Sequence, residues 1–149
     1  QMCIRDRDGT SWLNYADTLS DKRRLQAVAA NYWRRHQLLP PIEVTADCQN
    51  VDFCRHQQIV FYHGCRICMV TDNRWRNKSA ASPLFINYMY LCKGYNGRLE
   101  ELTGLFSPSC IPLDASLSDD RKQFFREECK RLHLHFITLS EEGSVRFLL

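Results

Sequence analysis

The stretch from Phe85 to Ser116 has the layout of a catalytic or metal-binding site. An apolar segment runs into the polar segment Cys92–Arg98, and Asp114 follows a second apolar segment. Open α/β sheets bind ligands beyond the carboxyl ends of their strands. Asp114 could therefore be a metal ligand or a general base, or it could hydrogen-bond the backbone before a helix cap at Ser118. The segment Cys92–Arg98 contains no His, Asp or Glu, so it lacks the obvious metal ligands.

The chain has eight cysteines, and Cys65 and Cys68 form a C-x-x-C pair. Together with Cys48 and Cys54 they could supply four thiolates to a structural zinc ion. Residues i and i+3 of a strand point to opposite faces, however, so a pair on a predicted strand cannot share a metal. The seven cysteines outside the first residues are an odd number in apolar surroundings, which favours buried free thiols over disulfides.

His133 and His135 flank Leu134 where a predicted helix ends. On a strand the two imidazoles would share a face, which is compatible with a metal site. No third ligand lies near them in the sequence, which favours two surface histidines at a helix–strand junction.

A basic segment, Asp72–Lys78, places Trp75 among three cations. Cations beside an aromatic ring suit contact with nucleic-acid phosphates and stacking on a base or sugar. The alternative is an ordinary solvated loop. The formal net charge of +3 is too small to indicate nucleic-acid binding by itself.

The elements around these residues follow from local signals. His63-Gly64 predicts a β-hairpin between Ile59–Tyr62 and Cys65–Thr71, since glycine tolerates the positive φ of a two-residue turn. Ser118 predicts the N-cap of a helix whose first turn carries Asp119 and Asp120. Between them the pattern predicts a strand, a loop, a helix and a strand, at Phe85–Leu91, Cys92–Arg98, Leu99–Phe106 and Cys110–Leu113.

The remaining pattern predicts strands at Thr10–Tyr15, Ile42–Thr45, Leu134–Leu139 and Val145–Leu149, a helix over Asp21–Gln37, and an irregular segment Ala46–His56. Alternating strands and helices predict an α/β fold, with a mostly parallel or mixed sheet and flanking helices. Residues 1–7 are typical of a non-native tail, and residues 8–149 are predicted to form one domain. No apolar run approaches the ~20 residues that span a bilayer, so the segment is expected to be soluble.

The order and spacing of several segments resemble the C-terminal region of ComEC-family competence proteins. These segments are Ile59–Asp72, Ile86–Gly94, Leu113–Ser116, Glu127–Leu132 and Leu139–Ser144. The family consists of polytopic membrane proteins thought to carry single-stranded DNA inward during natural transformation, and many end in a metallo-β-lactamase-like domain. The resemblance implies a fragment of a protein of the cytoplasmic membrane, with this domain on the outer, periplasmic or extracellular, face. Its implied partners are single-stranded DNA, the channel portion of the parent protein and other competence proteins.

The metal-binding version of that domain carries H-x-H-x-D-H after a strand that ends in Ser or Thr. With Cys92 at the Ser/Thr position, Lys93 and Tyr95 take the first two His positions, Gly97 the Asp and Arg98 the last His. None of these is a good zinc ligand, since Lys and Arg offer only protonated donors at neutral pH. The resemblance therefore implies a degenerate metallo-β-lactamase-like fold with no metal, no cofactor and no enzymatic activity.

Asp72 and Asp114 match positions that are often acidic in the fold, and we interpret them as acids of a vestigial cleft. We expect a non-catalytic domain that assists import of single-stranded DNA. The candidate DNA contacts are the cations and aromatic residues Arg74, Trp75, Arg76, Lys78, Lys93, Tyr95 and Arg98. Two alternatives remain open: a metal-dependent hydrolase or nuclease with an atypical site on Asp72 and Asp114, and a purely structural interaction domain.

Overall fold

The computed structural model describes residues 2–5, 11–14, 30, 31, 33–35, 37, 39, 42–44, 46–51 and 53–142. The chain forms two compact units, residues 1–47 and 48–149. The predicted division into a tail and a single domain stays a prediction. The predicted strand Val145–Leu149 lies outside the described residues.

The first unit contains a three-stranded sheet in the order β1-β2-β3. Its strands are β1 (Met2–Arg5), β2 (Ser11–Asn14) and β3 (Ile42–Val44). β1 and β2 are antiparallel, whereas β2 and β3 are parallel. Strands were predicted at the positions of β2 and β3, while β1 lies in the segment set apart as a tail. Within the predicted helix, the described residues 30, 31 and 33–35 are helical, whereas Gln37 lies in a turn with a φ of 51°.

The second unit is built on a seven-stranded mixed sheet in the order β10-β9-β8-β7-β6-β5-β4. The strands are β4 (Cys48–Gln49), β5 (Phe53–His56), β6 (Ile59–Tyr62), β7 (Cys65–Val70), β8 (Leu84–Leu91), β9 (Phe106–Leu113) and β10 (Phe136–Thr138). Neighbours from β4 to β7 are antiparallel, and neighbours from β7 to β10 are parallel. The predicted α/β class is confirmed, and its metallo-β-lactamase-like character stays a prediction.

The β6–β7 hairpin is confirmed, with Tyr62 paired to Cys65 across a two-residue turn. His63 and Gly64 adopt φ values of 44° and 80°, the pair of positive angles that a type I′ turn requires. The irregular prediction for Ala46–His56 was wrong, because β4 and β5 lie there. These strands are short and are fixed by cross-strand pairing to β6, which local pattern does not reveal.

The parallel strands end in register. Val70 pairs with Leu91, Leu91 with Leu113, and Leu113 with Thr138. Their carboxyl ends therefore lie side by side at one border of the sheet, which we term the carboxyl edge. The segments that leave this edge include residues 71–78 after β7, residues 92–98 after β8 and residues 114–118 after β9.

Three helices of this unit are described: α1 (Leu99–Thr103), α2 (Asp119–Arg131) and α3 (Leu139–Glu142). The predicted extension of α1 to Phe106 was wrong, because the chain turns at Gly104 and Phe106 is already the first residue of β9, paired with Leu84 of β8. Apolar side chains of α1 and α2 pack with the parallel strands in one core, which includes Leu91, Leu102, Leu113, Phe125 and Cys129. Among the described residues, no helix has both the length and the apolar character needed to cross a membrane.

Helix α2 begins and ends with recognisable caps. The Ser118 hydroxyl accepts a hydrogen bond from the Arg121 backbone N–H at 3.3 Å, as predicted for an N-cap. At the other end His133 has a φ of 54°, and the Leu134 N–H donates to the Cys129 carbonyl at 2.8 Å in a Schellman motif. His133 and His135 are exposed, which confirms the interpretation as surface histidines at a helix–strand junction.

A buried carboxylate joins α1 to α2. The Glu128 side chain of α2 is 6% exposed and accepts a hydrogen bond from the Leu99 backbone N–H at 2.7 Å. Leu99 is the first residue of α1, so its N–H has no partner within that helix. Arg131 donates to Glu128 at 3.4 Å and forms an ion pair with Glu100 at 2.6 Å. Helix α2 therefore supports the start of α1, where the segment Cys92–Arg98 ends.

We expect Glu128→Ala to lower the free energy of unfolding by about 1–3 kcal/mol, because it leaves the Leu99 N–H without its acceptor in a buried place. Urea denaturation followed by circular dichroism measures the change. Glu127→Ala is the matched control, since Glu127 is exposed on the same helix and bonds only to Gln123 in the described contacts. Equal losses in both variants would contradict a specific capping role for Glu128.

Candidate functional site at the carboxyl edge

Hydrogen bonds tie the three segments of the carboxyl edge to one another. The Asn96 backbone N–H donates to Asn73 Oδ1 at 2.9 Å, which links the segments after β8 and β7. The Lys93 backbone N–H donates to Ser116 Oγ at 3.2 Å, which links the segments after β8 and β9. The candidate residues predicted from three separate parts of the sequence therefore meet at one edge.

Asp72 is held by a side chain two residues away. Its carboxylate accepts from Arg74 Nε at 2.9 and 3.0 Å, from Arg74 Nη2 at 2.7 Å, and from the Arg74 backbone N–H at 2.9 Å. The hydrogen bonds from the Arg74 side chain are the main reason why the pKa of Asp72 lies below its usual value. Both oxygens of the carboxylate are thus engaged by a cation.

The buried side-chain amide of Gln58 orders the segment after β7 at Thr71 and Trp75. Gln58 is 5% exposed; its Oε1 accepts from the Trp75 indole N–H at 2.6 Å, and its Nε2 donates to the Thr71 hydroxyl at 2.7 Å. The Trp75 ring is half-buried and meets Phe106 edge to face, with ring centroids 5.1 Å apart. Gln58 was not predicted, because its role depends on contact across the sheet.

The remaining cations of the edge fall into two groups. Arg76 forms an ion pair with Glu101 at 3.2 Å, so its charge is balanced locally. Lys93 and Arg98 are exposed, and neither forms an ion pair with another described residue. Lys78 is also exposed without such a pair, but it lies in the connection that returns to Leu84 at the amino end of β8, and no described contact joins it to the segment after β8.

Tyr95 lies inside the unit and not on the surface. Its side chain is 1% exposed, its hydroxyl donates to the Arg98 carbonyl at 2.8 Å, and its ring stacks on Phe125 at 6.2 Å between centroids. Burial raises the pKa of Tyr95. This corrects the prediction of Tyr95 as a DNA contact, because its aromatic surface belongs to the core and orders the segment from within.

Arg121 of α2 also orders the segment at residues 92–98. Its Nη2 donates to the carbonyls of Tyr95 at 3.2 Å and Gly97 at 3.1 Å. Its guanidinium carbon lies 4.4 Å from the Phe125 ring centroid and 4.7 Å from that of Phe124. Cation–π contacts of this kind stabilise by about 0.5–2 kcal/mol each. Sequence reasoning missed Arg121, although a cation four residues before Phe125 on the apolar face of a helix was a usable signal.

Two glycines let the segment lie this close to its neighbours. Gly94 has a φ of 109°, and a Cβ on it would lie 2.3 Å from the Thr71 carbonyl oxygen. A Cβ on Gly97 would lie 2.3 Å from the Tyr95 hydroxyl oxygen. Side chains at these two positions would displace the segment, so the backbone there requires glycine.

Asp114 hydrogen-bonds the backbone, which was one of the two roles predicted for it. Its Oδ1 accepts from the Ser116 N–H at 2.8 Å, and its own N–H donates to the Leu91 carbonyl at 3.0 Å. The pKa of nearby Tyr90 is raised to about 12, mainly by burial and further by the Asp114 charge. Asp114 is half-buried, so part of its carboxylate faces solvent.

The donor set at the edge does not fit zinc. The positions aligned with H-x-H-x-D-H hold Lys93, the buried Tyr95, Gly97 and Arg98, which are not zinc ligands. Across the described residues, no group of three or more His, Cys, Asp or Glu side chains could hold a metal ion. Cys68 is fully buried within β7, and burial raises its pKa to about 12, which disfavours the thiolate.

Residues 2–149 match the family model described as the ComEC C-terminal domain. Searches of curated proteins and of solved structures found no match to the chain.

We expect Gly94→Ala to lower the free energy of unfolding by about 1–3 kcal/mol, because the added Cβ meets the Thr71 carbonyl and the backbone is strained at positive φ. Thermal and urea unfolding measure the change. The control is Gly104→Ala, at a φ of −68° with no atom closer than 3.7 Å to the added Cβ. A neutral Gly94→Ala would show that the segment does not need its close approach to β7.

Proposed function

The chain belongs to the ComEC C-terminal domain family, and we propose that it is a non-catalytic part of the DNA-uptake protein. Family membership links the chain to DNA uptake in competence and to a membrane-associated parent protein. In our proposal the domain lies on the outer face of the cytoplasmic membrane beside the channel portion. There it guides single-stranded DNA along the carboxyl edge, in company with other competence proteins.

The observation that carries this proposal is the pair Lys93 and Arg98, which are exposed on one rigid segment without an ion-pair partner among the described residues. Cations fixed on an ordered backbone attract phosphates without first giving up a partner. The hydrogen bond between Asn96 and Asn73 joins this segment to the start of the one after β7. Lys78 is a third exposed cation further along that connection.

The non-catalytic part of the proposal is supported by the state of Asp72. Its carboxylate is occupied by Arg74, so ligating a metal would require breaking that bidentate pair. Metal-dependent hydrolysis needs a site that lowers the pKa of a bound water, and Lys93 and Arg98 supply positive charge instead of ligands. We therefore propose a degenerate metallo-β-lactamase-like fold whose cleft has become basic.

Two alternative functions predict different experimental results. A hydrolase built on Asp72 and Asp114 would retain stoichiometric metal after purification, and Asp114→Asn would abolish its activity. A purely structural domain would bind a channel segment and show no salt-dependent attraction to DNA.

We expect Lys93→Ala and Arg98→Ala each to weaken binding of an oligo(dT) strand, and the double variant to weaken it further. Each lost phosphate contact removes about 0.7 from the slope of log K against log salt. Fluorescence anisotropy at several salt concentrations measures both the affinity and the slope.

The matched control is Lys130→Ala, which removes one exposed lysine near the far end of α2, about 16 Å along the helix from its start at the carboxyl edge. We expect the slope of log K against log salt for Lys130→Ala to equal that of the wild-type chain. Binding that is unaffected by loss of Lys93 and Arg98, or that falls equally in Lys130→Ala, would overturn the assignment of the carboxyl edge.

A further inference from the structure

We propose that Asn96 is a site of spontaneous covalent modification, at which attack by the Gly97 backbone nitrogen converts the side-chain amide to a carboxylate. The modification goes beyond the proposed function and does not depend on it. Asn96-Gly97 is the only Asn-Gly pair in the sequence, and it lies within the segment at residues 92–98. Three observations carry the proposal: the need for glycine at position 97, the state of the Gly97 N–H, and the freedom of the Asn96 amide.

The fold requires the glycine that makes this reaction easy. A Cβ on Gly97 would clash with the Tyr95 hydroxyl oxygen, and the Tyr95 side chain is fixed in the core. Glycine is also the residue that least hinders attack by its own nitrogen, because no Cβ stands beside that nitrogen. The buried Tyr95 therefore keeps a reactive pair at positions 96 and 97.

The nucleophile is a backbone nitrogen whose hydrogen the fold does not use. Gly97 is buried, and no described residue accepts a hydrogen bond from its N–H. Arg121 holds the carbonyls before and after it, those of Tyr95 and Gly97. A buried N–H without a partner is rare and costs free energy. Because ring closure removes this N–H, the reaction breaks no described hydrogen bond of the nucleophile.

The electrophile is the side-chain amide of Asn96. Asn96 is exposed, and within the described part of the chain its backbone N–H is the group that bonds, to Asn73 Oδ1 at 2.9 Å. No described contact restrains the Asn96 side chain, so Cγ can turn toward the Gly97 nitrogen. The exposed cations Lys93 and Arg98 belong to the same segment and favour the negative charge that develops during the attack.

The reaction consumes one water molecule and releases one ammonia molecule. Hydroxide takes the proton from the Gly97 nitrogen, which then attacks Asn96 Cγ. The new C–N bond closes a cyclic imide, the bond from Cγ to Nδ2 breaks, and ammonia leaves with a proton from water. Water then opens the imide at either carbonyl, which gives isoaspartate from the main-chain carbonyl and aspartate from Cγ. No atom is oxidised or reduced.

Isoaspartate changes both the order and the charge of the segment. It inserts one carbon into the main chain between the Asn96 N–H, which is bonded to Asn73, and the Gly97 carbonyl, which is bonded to Arg121. The longer main chain cannot keep both hydrogen bonds in their present geometry. The new carboxylate also offsets positive charge in a segment that carries two exposed cations.

The test incubates the purified full chain in mildly alkaline buffer and measures deamidation at each asparagine by peptide mapping with mass spectrometry. Isoaspartyl methyltransferase labels the isoaspartate. We expect Asn96 to convert at a rate that rises with pH, with isoaspartate as the main product, while Asn77 stays intact. Asn77 is the matched control within the chain, because it is also exposed but is followed by Lys78. Asn96→Gln should stop the modification, since the longer side chain closes a less favourable ring.

A parallel incubation in urea gives the rate of the Asn-Gly pair without the fold. An Asn96 that stays intact in the folded chain while it converts in urea would overturn the proposal, because the fold would then protect the pair. Equal conversion of Asn96 and Asn77 would also overturn it, because Gly97 would then have no part in the reaction. None of these readouts involves DNA, so the proposed function stands or falls separately.

Discussion

The carboxyl edge depends on the contact between the Arg121 guanidinium and the backbone of the segment after β8. Two carbonyls, those of Tyr95 and Gly97, accept hydrogen bonds from the same Arg121 nitrogen. The rings of Phe124 and Phe125 flank the guanidinium, and Tyr95 stacks on Phe125. Arg121 Nε is buried, and no described residue accepts a hydrogen bond from it.

That fixed shape decides what the edge can do chemically. The acids of the edge are already bonded: Asp72 to a guanidinium and Asp114 to a backbone N–H. Lys93 and Arg98 remain as exposed cations on the segment after β8, and Asp119 and Asp120 are exposed acids at the start of α2. A cation on an ordered backbone loses side-chain but little backbone conformational entropy when it binds an anion, whereas a site for a hydrolytic metal needs converging carboxylate or imidazole ligands. In our proposal, the framework that could present metal ligands presents phosphate contacts instead.

Local signals in the sequence predicted the parts of the fold that local interactions determine. The His63-Gly64 turn and the Ser118 cap depend on neighbouring residues, and both were predicted. The clustering of the candidate segments followed from the rule that parallel strands end at a common edge. The burial of Tyr95 could not be predicted from its neighbours, because it depends on Phe125 and Arg121, 30 and 26 residues away. Charged residues on the apolar face of α2 were the overlooked sign that this helix supports a site.

The most direct test of the account is to map a single strand onto the protein residue by residue. Titration of isotope-labelled protein with a short oligo(dT), followed by backbone amide resonances in NMR spectra, reports which segments meet the strand. The account predicts that the largest shifts fall on the segments at residues 72–78 and 92–98, and that they fade as salt is raised. Shifts confined to other parts of the chain would contradict it, and so would shifts that persist unchanged at high salt.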